Sequence, residues 1–297
     1  MDLIDAAELR RRLPMRAAID ALEAGFAAGV PPLSLRTHTP TPDGQVLVMP
    51  AAGEQGVGVK VITLTSGNPG RGLPLVQGLY LLFDVISQSP EAVIDGAALT
   101  ALRTGAVSGL ATRWLARPDA RRVVVFGAGV QARAHVEAVR AVRDIEDVAI
   151  VSRTLARAEA LAAEVDGRVG SVTDVADADI VCTCTSSPEP LFDGQMLSDG
   201  VHVNAVGAFT PGTRELDTAA VVRARVVVET REVAMAESGD LLIPLTEAAI
   251  GDDHVVADLE ELVGGSEVRR SPADVTAFLS VGLAFEDLVV ARAAVGT

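Results

Sequence analysis

The second half of the chain alternates short, almost wholly apolar runs with helical segments. After residue 121 the runs are RVVVFG, VAIVSR, DIVCTCTSS, VHVNAVG and RVVVET. Nearly continuous valine and isoleucine runs are typical of strands buried on both faces of a parallel sheet, and parallel strands need long crossover connections. The rhythm therefore predicts an α/β fold, with a Rossmann-type, doubly wound parallel sheet in this part of the chain.

The first half has a different pattern. A helical segment at 17–29 precedes three strand-like runs, QVLVMPAAG, GVGVKVITLT and GLYLLFDVIS, which are separated by turn signals and predict an antiparallel α+β domain. A long helix is expected over 95–118, with Pro118 ending it, and a further helical stripe closes the chain at 280–295. The apolar positions of the long helix are Leu99, Leu102, Ala106, Leu110 and Trp114.

Composition limits the partners and the compartment. The 297 residues, 49% of them hydrophobic, can bury one large core or two ordinary ones. A net charge of -15 disfavours nucleic acid and anionic membranes, because the averaged field repels both. The N-terminus lacks a signal-peptide pattern, and the most apolar window is broken by Gln77, Gly78 and Asp84. We therefore expect a soluble, cytoplasmic protein.

Two features that resemble metal or redox sites have simpler interpretations. Cys182 and Cys184 lie two apart on a predicted strand, too far apart for a comfortable disulfide, and we expect buried small side chains. The segment 251–262 gathers acids around His254, but a solvated acidic loop that caps a helix explains it better than a metal site. No metal is predicted.

A glycine-rich turn follows the first apolar run, in RVVVFGAGVQARAH, residues 122–135. Gly127 and Gly129 stand at the turn, and Ala132 stands where a third glycine is often found. A sharp turn at Gly127 and close backbone approach at Gly129 would bring amide groups at a helix N-terminus to a pyrophosphate. An ordinary strand-to-helix turn is the alternative. The order of strand, turn, helix and second strand favours a nucleotide site.

The residues after the second strand indicate which nucleotide binds. An NAD-preferring site usually has Asp or Glu here, whereas this chain has Ser152, Arg153 and Thr154, with Arg157 one turn later. A guanidinium pairs with a 2′-phosphate, so NADPH is predicted, with NADH as the alternative. In the other interpretation, Thr154 caps a helix and the arginines are solvated.

Several motifs together resemble the ornithine cyclodeaminase and mu-crystallin family. They are LRTHTP, MPA, VKV, DGAALTALRTGAVSGLATRWLA, FGAGVQA, NAVG, RELD and SVGLAFEDL, which extend over almost the whole chain. The resemblance implies a homodimer with a substrate-binding and dimerisation domain at 1–117 with 283–297. It also implies an NAD(P)-binding Rossmann domain at 118–282 and a substrate site between the domains.

The resemblance also implies roles for individual residues. Arg36 and Arg103 would bind the carboxylate of an amino or imino acid, and Lys60 would complete this site and pass a proton to the substrate nitrogen. Lys60 and Arg103 are thus the candidate catalytic residues. Besides Gly127, Gly129 and the residues after the second strand, the candidate cofactor-binding residues are Thr104, Ala128, Val130, Gln131, Thr185, Ser186, Val206, Gly207, Ser280, Val281 and Gly282.

Three positions depart from the ornithine cyclodeaminases. Those enzymes carry an Asp, a Glu and a Thr where this chain has Phe209, Leu47 and Leu75. Apolar residues at these substrate-binding positions cannot orient a cationic diamino acid, because burying an unpaired ammonium costs several kcal/mol. Ornithine is therefore not the expected substrate.

What remains is a nicotinamide site with a carboxylate-binding group of cations beside apolar walls. This predicts an NAD(P)H-dependent reductase of a small α-imino acid, such as the cyclic ketimine pyrroline-2-carboxylate, and resembles the ketimine reductase branch of the family. Three alternatives stay open. They are an ornithine cyclodeaminase-type lyase with recycled NAD, an alanine-like amino-acid dehydrogenase, and a non-catalytic NADPH-binding protein.

Overall fold

A computed structural model describes residues 1–33 and 35–296. The chain divides into two compact units: unit 1 comprises Met1–Arg103 and Leu283–Thr297, and unit 2 comprises Thr104–Gly282. The first division falls inside a helix, earlier than the 117/118 boundary drawn from the sequence. The second coincides with the boundary drawn at 282/283.

Unit 1 is built on a six-stranded sheet with the order β1-β6-β5-β4-β3-β2. Strands β2 to β6 pair antiparallel in sequence order, and β1 joins β6 in parallel. The strands are β1 (Asp2–Ile4), β2 (Thr37–Thr41), β3 (Gly44–Gly53), β4 (Gly56–Thr65), β5 (Val76–Phe83) and β6 (Pro90–Asp95). The antiparallel α+β prediction is confirmed for β3, β4 and β5, whereas the short β1 and β2 and the strand β6 were not predicted.

Three helices of unit 1 are α1 (Ala6–Arg12), α2 (Met15–Ala27) and the last helix of the chain, α10 (Ala284–Val295). Helix α2 buries residues at spacings of three and four, including Ile19, Leu22 and Phe26, as an amphipathic helix must. Phe26 meets Phe285 of α10 edge to face, with ring centroids 5.4 Å apart. Helix α10 packs on β3 and β4 and is buried along most of its length.

Helix α3 (Gly96–Leu115) confirms the long helix expected over 95–118 and carries the chain from unit 1 into unit 2. Asp95 caps it by accepting hydrogen bonds from the amides of Ala97 and Ala98. Every residue from Leu102 to Thr112 is buried, so the helix has no polar face there. Trp114 is 40% exposed and does not belong to the buried stripe predicted for it.

Unit 2 contains an eight-stranded parallel sheet with the order β13-β12-β14-β11-β10-β7-β8-β9. All of its pairs are parallel, which confirms the α/β fold with a doubly wound sheet. The strands are β7 (Arg122–Phe126), β8 (Asp147–Val151), β9 (Arg168–Val169), β10 (Ile180–Thr183), β11 (His202–Ala205), β12 (Arg225–Val228), β13 (Val255–Asp258) and β14 (Thr276–Leu279).

The helices of unit 2 leave both faces of this sheet buried. Val123 and Val125 of β7 belong to one apolar cluster, and Val124 and Phe126 belong to another, as alternate side chains of a strand must. The helices are α4 (Val130–Val142), α5 (Leu155–Glu164), α6 (Thr218–Arg223), α7 (Arg231–Glu237), α8 (Gly239–Thr246) and α9 (Leu259–Val263).

The acidic segment 251–262 is more ordered than predicted. Val255 and Ala257 are buried in β13, and Asp258 caps α9 through a reciprocal bond with Glu261, so the expected solvated loop is wrong for this part. Cys182 is buried, as predicted, and burial raises its pKa to about 12, whereas Cys184 is half-buried and the prediction of a buried side chain is wrong there; both are free thiols. The described residues contain no group of three metal-ligating side chains, and none of their helices is long and apolar enough to cross a membrane.

Candidate active site

The inner face of the unit 1 sheet carries a fully buried lysine. Lys60 lies on β4, opposite Met49 of β3 and Tyr80 of β5, and its side chain is 1% exposed. Its Nζ lies 2.9 Å from Oδ1 and 2.7 Å from Oδ2 of Asp287 on α10. An ammonium without access to water needs such a partner, because an unpaired buried charge is strongly destabilising.

Arg103 joins the same cluster of charges from α3. Its Nη1 lies 2.8 Å from Oε2 of Glu286, and its Nε lies 3.2 Å from Oδ1 of Asp287. Arg103 is only 5% exposed, and both carboxylates are fully buried in the first turn of α10, where the helix dipole favours negative charge. The structure thus brings together Lys60 and Arg103, which were predicted, with Glu286 and Asp287, which were not.

The surroundings of Lys60 lower the pKa of its ammonium. Burial is the largest cause and the positive charge of Arg103 is the second, and the pKa falls to about 8. The charge of Arg36, which is half-buried just before β2, acts in the same direction, whereas Asp287 opposes both. An amine in this range can give up a proton near neutral pH.

The three apolar positions that distinguish the chain from cyclodeaminases have different surroundings. Leu47 is buried on β3, on the same sheet face as Met49 and Lys60, because alternate residues of a strand share a face. Leu75 lies just before β5 and is 37% exposed. Phe209 belongs to unit 2, where it is half-buried after β11.

The glycine-rich turn of unit 2 connects β7 to α4. Gly127 has φ = 114°, and a Cβ there would lie 2.5 Å from the carbonyl oxygen of Cys184, so only glycine fits. Gly129 is the N-cap of α4, and a Cβ there would meet nothing within 4 Å. Ala132, in the first turn of α4, is fully buried.

This turn has the features that a dinucleotide pyrophosphate requires. No side chain caps the amides of the first turn of α4, and Val130 there is 60% exposed. Amides without a side-chain cap at a helix N-terminus, next to open space at Gly129, are the groups that favour an anion. Ala128 and Gln131 belong to the same turn, and their backbone continues this surface.

The segment after β8 leaves its arginines free for a ligand. Arg153, Thr154 and Arg157 are exposed and Ser152 is half-buried. Thr154 occupies the N-cap position of α5 but makes no side-chain capping bond, and the Ser152 hydroxyl accepts a bond from its amide at 3.3 Å. Strand β8 pairs with β7, so these residues follow the same sheet edge as the glycine turn.

Two buried carboxylates were not predicted from the sequence, and one of them bonds residues that follow β10 and β11. Glu215 accepts bonds from the Thr185 amide at 2.7 Å, the Thr185 hydroxyl at 2.6 Å and the Gly207 amide at 2.8 Å. Asp240 in turn accepts bonds from the amides of Glu215 and Leu216, both at 2.8 Å. Burial raises the pKa of Glu215, and raises that of Asp240 to about 7. Thr185 and Gly207 are therefore fixed in place, and Ser186 and Val206 adjoin them in the chain.

A third unpredicted carboxylate holds residues 280–282, which were predicted to bind the cofactor. Glu229, which follows β12 and is 1% exposed, accepts bonds from the Ser280 hydroxyl and from the amides of Val281 and Gly282. Gly282 has φ = 83°, a conformation that favours glycine. An acid directly after an apolar strand run, in VVVET, was the signal that could have revealed it.

Unit 2 is thus a dinucleotide-binding α/β domain, and unit 1 is an antiparallel domain with a buried group of cations. The model of the ornithine cyclodeaminase/mu-crystallin family matches residues 2–295, and the chain belongs to that family.

Similar proteins have been named for reduction of imines. The chain is 38% identical over 258 residues to Delta(1)-pyrroline-2-carboxylate reductase of Bacillus cereus, which covers 83% of this chain and 79% of that protein. It is 37% identical over 287 residues to ketimine reductase mu-crystallin of Rattus norvegicus, covering 94% and 89%.

A solved structure is similarly close. Delta(1)-pyrroline-2-carboxylate reductase of Thermococcus litoralis, in complex with NADH and L-proline, superposes with a TM-score of 0.95 at 35% identity. The match covers 99% of this chain and 96% of that one. The similarity to this reductase therefore extends over both units of the chain.

Proposed function

We propose that this protein is an NAD(P)H-dependent reductase that converts a small cyclic α-imino acid, such as Δ1-pyrroline-2-carboxylate, into the amino acid. The observation that carries the proposal is the buried cluster that Arg103 of α3 forms with Lys60, which lies on a sheet face whose neighbouring positions, Leu47 and Met49, are apolar. Relatives named for the same reaction, at 37% and 38% identity, support it.

In this proposal the arginines bind the substrate carboxylate. The planar guanidinium of Arg103 offers several N–H donors in a fixed geometry, which suits a carboxylate in a buried site. Arg36 is the second candidate, because its charge already acts on Lys60. Holding the carboxylate fixes the orientation of the ring and of its C=N bond, which removes much of the entropic cost of the reaction.

Lys60 is the proton donor. With a pKa of about 8, its ammonium is largely protonated at neutral pH and can still release a proton to the imine nitrogen. The apolar neighbours exclude water, so the electron density that hydride transfer places on the imine nitrogen is neutralised by the fixed Lys60 ammonium and not by solvent. Leu47 offers no partner to a second amine, which argues against ornithine as the substrate.

Unit 2 would hold the cofactor, which supplies a hydride to the imine carbon when bound. The amides at Gly129 and Val130 fit the pyrophosphate. Arg153, with Thr154 and Arg157, suits a 2′-phosphate. The Ser280–Gly282 loop is the candidate nicotinamide contact. Arg103 ends unit 1 and Thr104 begins unit 2, so the backbone directly joins a candidate substrate residue to a candidate cofactor residue. NADPH is the proposed cofactor, with NADH as the alternative.

We also propose that the chain forms a homodimer. Val61 and Leu79 lie opposite each other in the register of β4 and β5, on the sheet face away from Lys60, and are 37% and 53% exposed. A pair of exposed aliphatic side chains on a central part of a sheet is better covered by another surface. Light scattering on the purified protein tests this proposal, and the cytoplasmic location stays a prediction.

The proposed reaction is tested with purified protein and a panel of substrates. NADPH oxidation should follow addition of Δ1-pyrroline-2-carboxylate and of six-membered cyclic imino acids, with one proline or homologue formed per NADPH. Release of ammonia from ornithine without added NADPH would instead identify a lyase. Tight NADPH binding without oxidation across the whole panel would favour a binding protein.

A further inference from the structure

The two carboxylates at the start of α10 make different ion pairs with the buried cations. Asp287 contacts both Lys60 and Arg103, whereas Glu286 contacts Arg103. We infer that Asp287 is the positioning residue that holds the Lys60 ammonium and maintains its protonated form for catalysis, and that Glu286 positions Arg103 for the substrate carboxylate. This inference rests on the proposed function.

The geometry gives Asp287 its role. Both of its oxygens lie within 2.9 Å of Lys60 Nζ, and neither side chain is more than 1% exposed. A lysine side chain has four rotatable carbons, so without a fixed partner its amine would not stay in one place on the sheet face. Because α10 itself is anchored by Phe285 against Phe26, the carboxylate is fixed by packing and in turn fixes the amine.

The charged and titratable groups around Lys60 come from every element that packs on it. Arg103 on α3 and Arg36 before β2 lower the pKa of Lys60, whereas Asp287 on α10 raises it through its charge and its hydrogen bond. Tyr80 of β5 faces the same site, and burial raises the pKa of its phenol well above the usual value, so it stays neutral. Removing the carboxylate would leave Lys60 among cations, and the amine would lose its proton at lower pH.

The reaction needs that proton at one defined moment. NADPH, when bound, would supply a hydride to the imine carbon and leave as NADP⁺. The Lys60 ammonium would then give its proton to the nitrogen, which receives the π electrons of the C=N bond, and neutral Lys60 would regain a proton from solvent in the next cycle. Asp287 exchanges no atom with the substrate in this step, so its effect is on the ability of Lys60 to hold a proton between turnovers.

Glu286 has a separate task. It bonds Arg103 Nη1 at 2.8 Å and accepts a longer bond from the Leu283 amide at 3.4 Å, which ties the guanidinium to the start of α10. Its removal should displace the guanidinium without depriving Lys60 of its partner. The substrate and product would then bind more weakly, while the pH at which Lys60 titrates would change less than it does on loss of Asp287, which bonds the amine directly.

Two isosteric variants, Asp287→Asn and Glu286→Gln, separate these roles. We expect the basic limb of the kcat profile with Δ1-pyrroline-2-carboxylate and NADPH to move at least about one pH unit lower in Asp287→Asn, since an opposite charge at this distance shifts a pKa by roughly 1–3. In Glu286→Gln the limb should move less than in Asp287→Asn, while the Kd for L-proline, measured by calorimetry with NADP⁺ present, rises about tenfold or more.

The outcomes are distinguishable from failure of the proposed function. If wild-type protein does not oxidise NADPH with the imine, the proposed function is wrong. If wild-type protein is active and Asp287→Asn keeps the wild-type limb, or Glu286→Gln moves it as far, the inference is wrong. Should Asp287→Asn give no cooperative thermal transition, Asp287→Glu replaces it: the displaced carboxylate must move the limb lower by a smaller amount, and an unmoved limb would contradict the inference.

Discussion

The hydroxyl of Ser280 lies 2.5 Å from Oε1 of Glu229, and the same carboxylate oxygen accepts the amide of Gly282 at 2.8 Å. The other oxygen of Glu229 accepts the amide of Val281 at 3.1 Å. Three consecutive residues that precede the return to unit 1 are thus held by one buried carboxylate. Charged acceptors make the stronger hydrogen bonds in proteins, so this loop is ordered before any ligand arrives.

Replacing Glu229 by Gln should loosen this loop. The amide nitrogen would face hydrogen-bond donors, and a buried donor without an acceptor costs about 1–3 kcal/mol, so the free energy of unfolding in urea should fall by about 2 kcal/mol. The Kd for NADPH should rise if the loop contacts the nicotinamide. Glu232→Gln, an exposed position on α7, is the matched control and should leave both quantities unchanged. Equal stability and equal NADPH affinity of the two variants would contradict a role of Glu229 in holding this loop.

The two glycines of the turn should respond differently to alanine. Gly127→Ala should destabilise the protein by about 2 kcal/mol or more, because it combines a positive φ with a contact to the Cys184 carbonyl. Gly129→Ala should leave thermal stability nearly unchanged, because nothing lies near the added methyl group. Its NADPH affinity should nevertheless fall at least about tenfold if the pyrophosphate approaches this backbone. Unchanged affinity would place the pyrophosphate elsewhere.

Arg153 should determine the choice between nicotinamide nucleotides. Arg153→Ser removes a charge-assisted contact worth about 1.5–3 kcal/mol, so the Kd for NADPH should rise roughly 10–100-fold while the Kd for NADH changes little. Fluorescence titration of both nucleotides measures this. Arg140→Ser, near the C-terminal end of α4, serves as a control for general loss of positive charge. A parallel loss of both nucleotides in Arg153→Ser would contradict a role in 2′-phosphate recognition.

Two buried histidines predict a loss of stability in acid. Burial lowers the pKa of His135 to about 4 and that of His202 to about 3, below the usual value of 6.5. The unfolded chain therefore binds more protons than the folded one below pH 6.5. Each histidine should lower the free energy of unfolding by up to about 1.4 kcal/mol per pH unit as the pH falls from 6.5 toward its folded-state pKa.

Asp240 acts in the opposite direction over a similar range. Its folded-state pKa of about 7 lies above the usual value, so its contribution to stability is present in acid and is lost as the pH rises from about 4 to 7. The contribution of a histidine to the free energy of unfolding is therefore measured as the difference between a histidine variant and wild-type protein. Urea unfolding at several pH values should show a shallower acid loss in His135→Gln than in wild-type protein. The exposed His38→Gln should keep the wild-type slope, and identical slopes in all three proteins would contradict the prediction.

The parts of the fold that the sequence predicted are those with a strong local pattern. The valine-rich strands, α3 and the glycine turn each carry a periodicity or a glycine requirement that few alternatives satisfy. Strand β14, Thr276–Leu279, was missed because TAFL lacks the valine and isoleucine run that revealed equally short strands such as β10 and β12. Strand β9 has two residues, and it exists only because β8 offers an edge to pair with.

The candidate site was predictable only in part. The family resemblance predicted Arg103 and Lys60 as substrate-binding cations, and the structure buries both in one cluster. Their partners Glu286 and Asp287 stand in AFEDLVV, which is equally compatible with an exposed acidic helix start. Only tertiary packing of α10 on β4 shows that this turn is buried, and no local signal contains that contact. Glu215 and Asp240 were missed for the same reason.

The proposed function requires that the cations of unit 1 bind the carboxylate of an imino acid that is then reduced. The most direct measurement is kcat/KM for Δ1-pyrroline-2-carboxylate with NADPH in Arg103→Lys, compared with wild-type protein, together with the Kd for NADPH. Lysine keeps the charge but loses the planar set of donors, so kcat/KM should fall at least about 100-fold while the Kd for NADPH changes less than about twofold. An unchanged kcat/KM in this variant would contradict the claim.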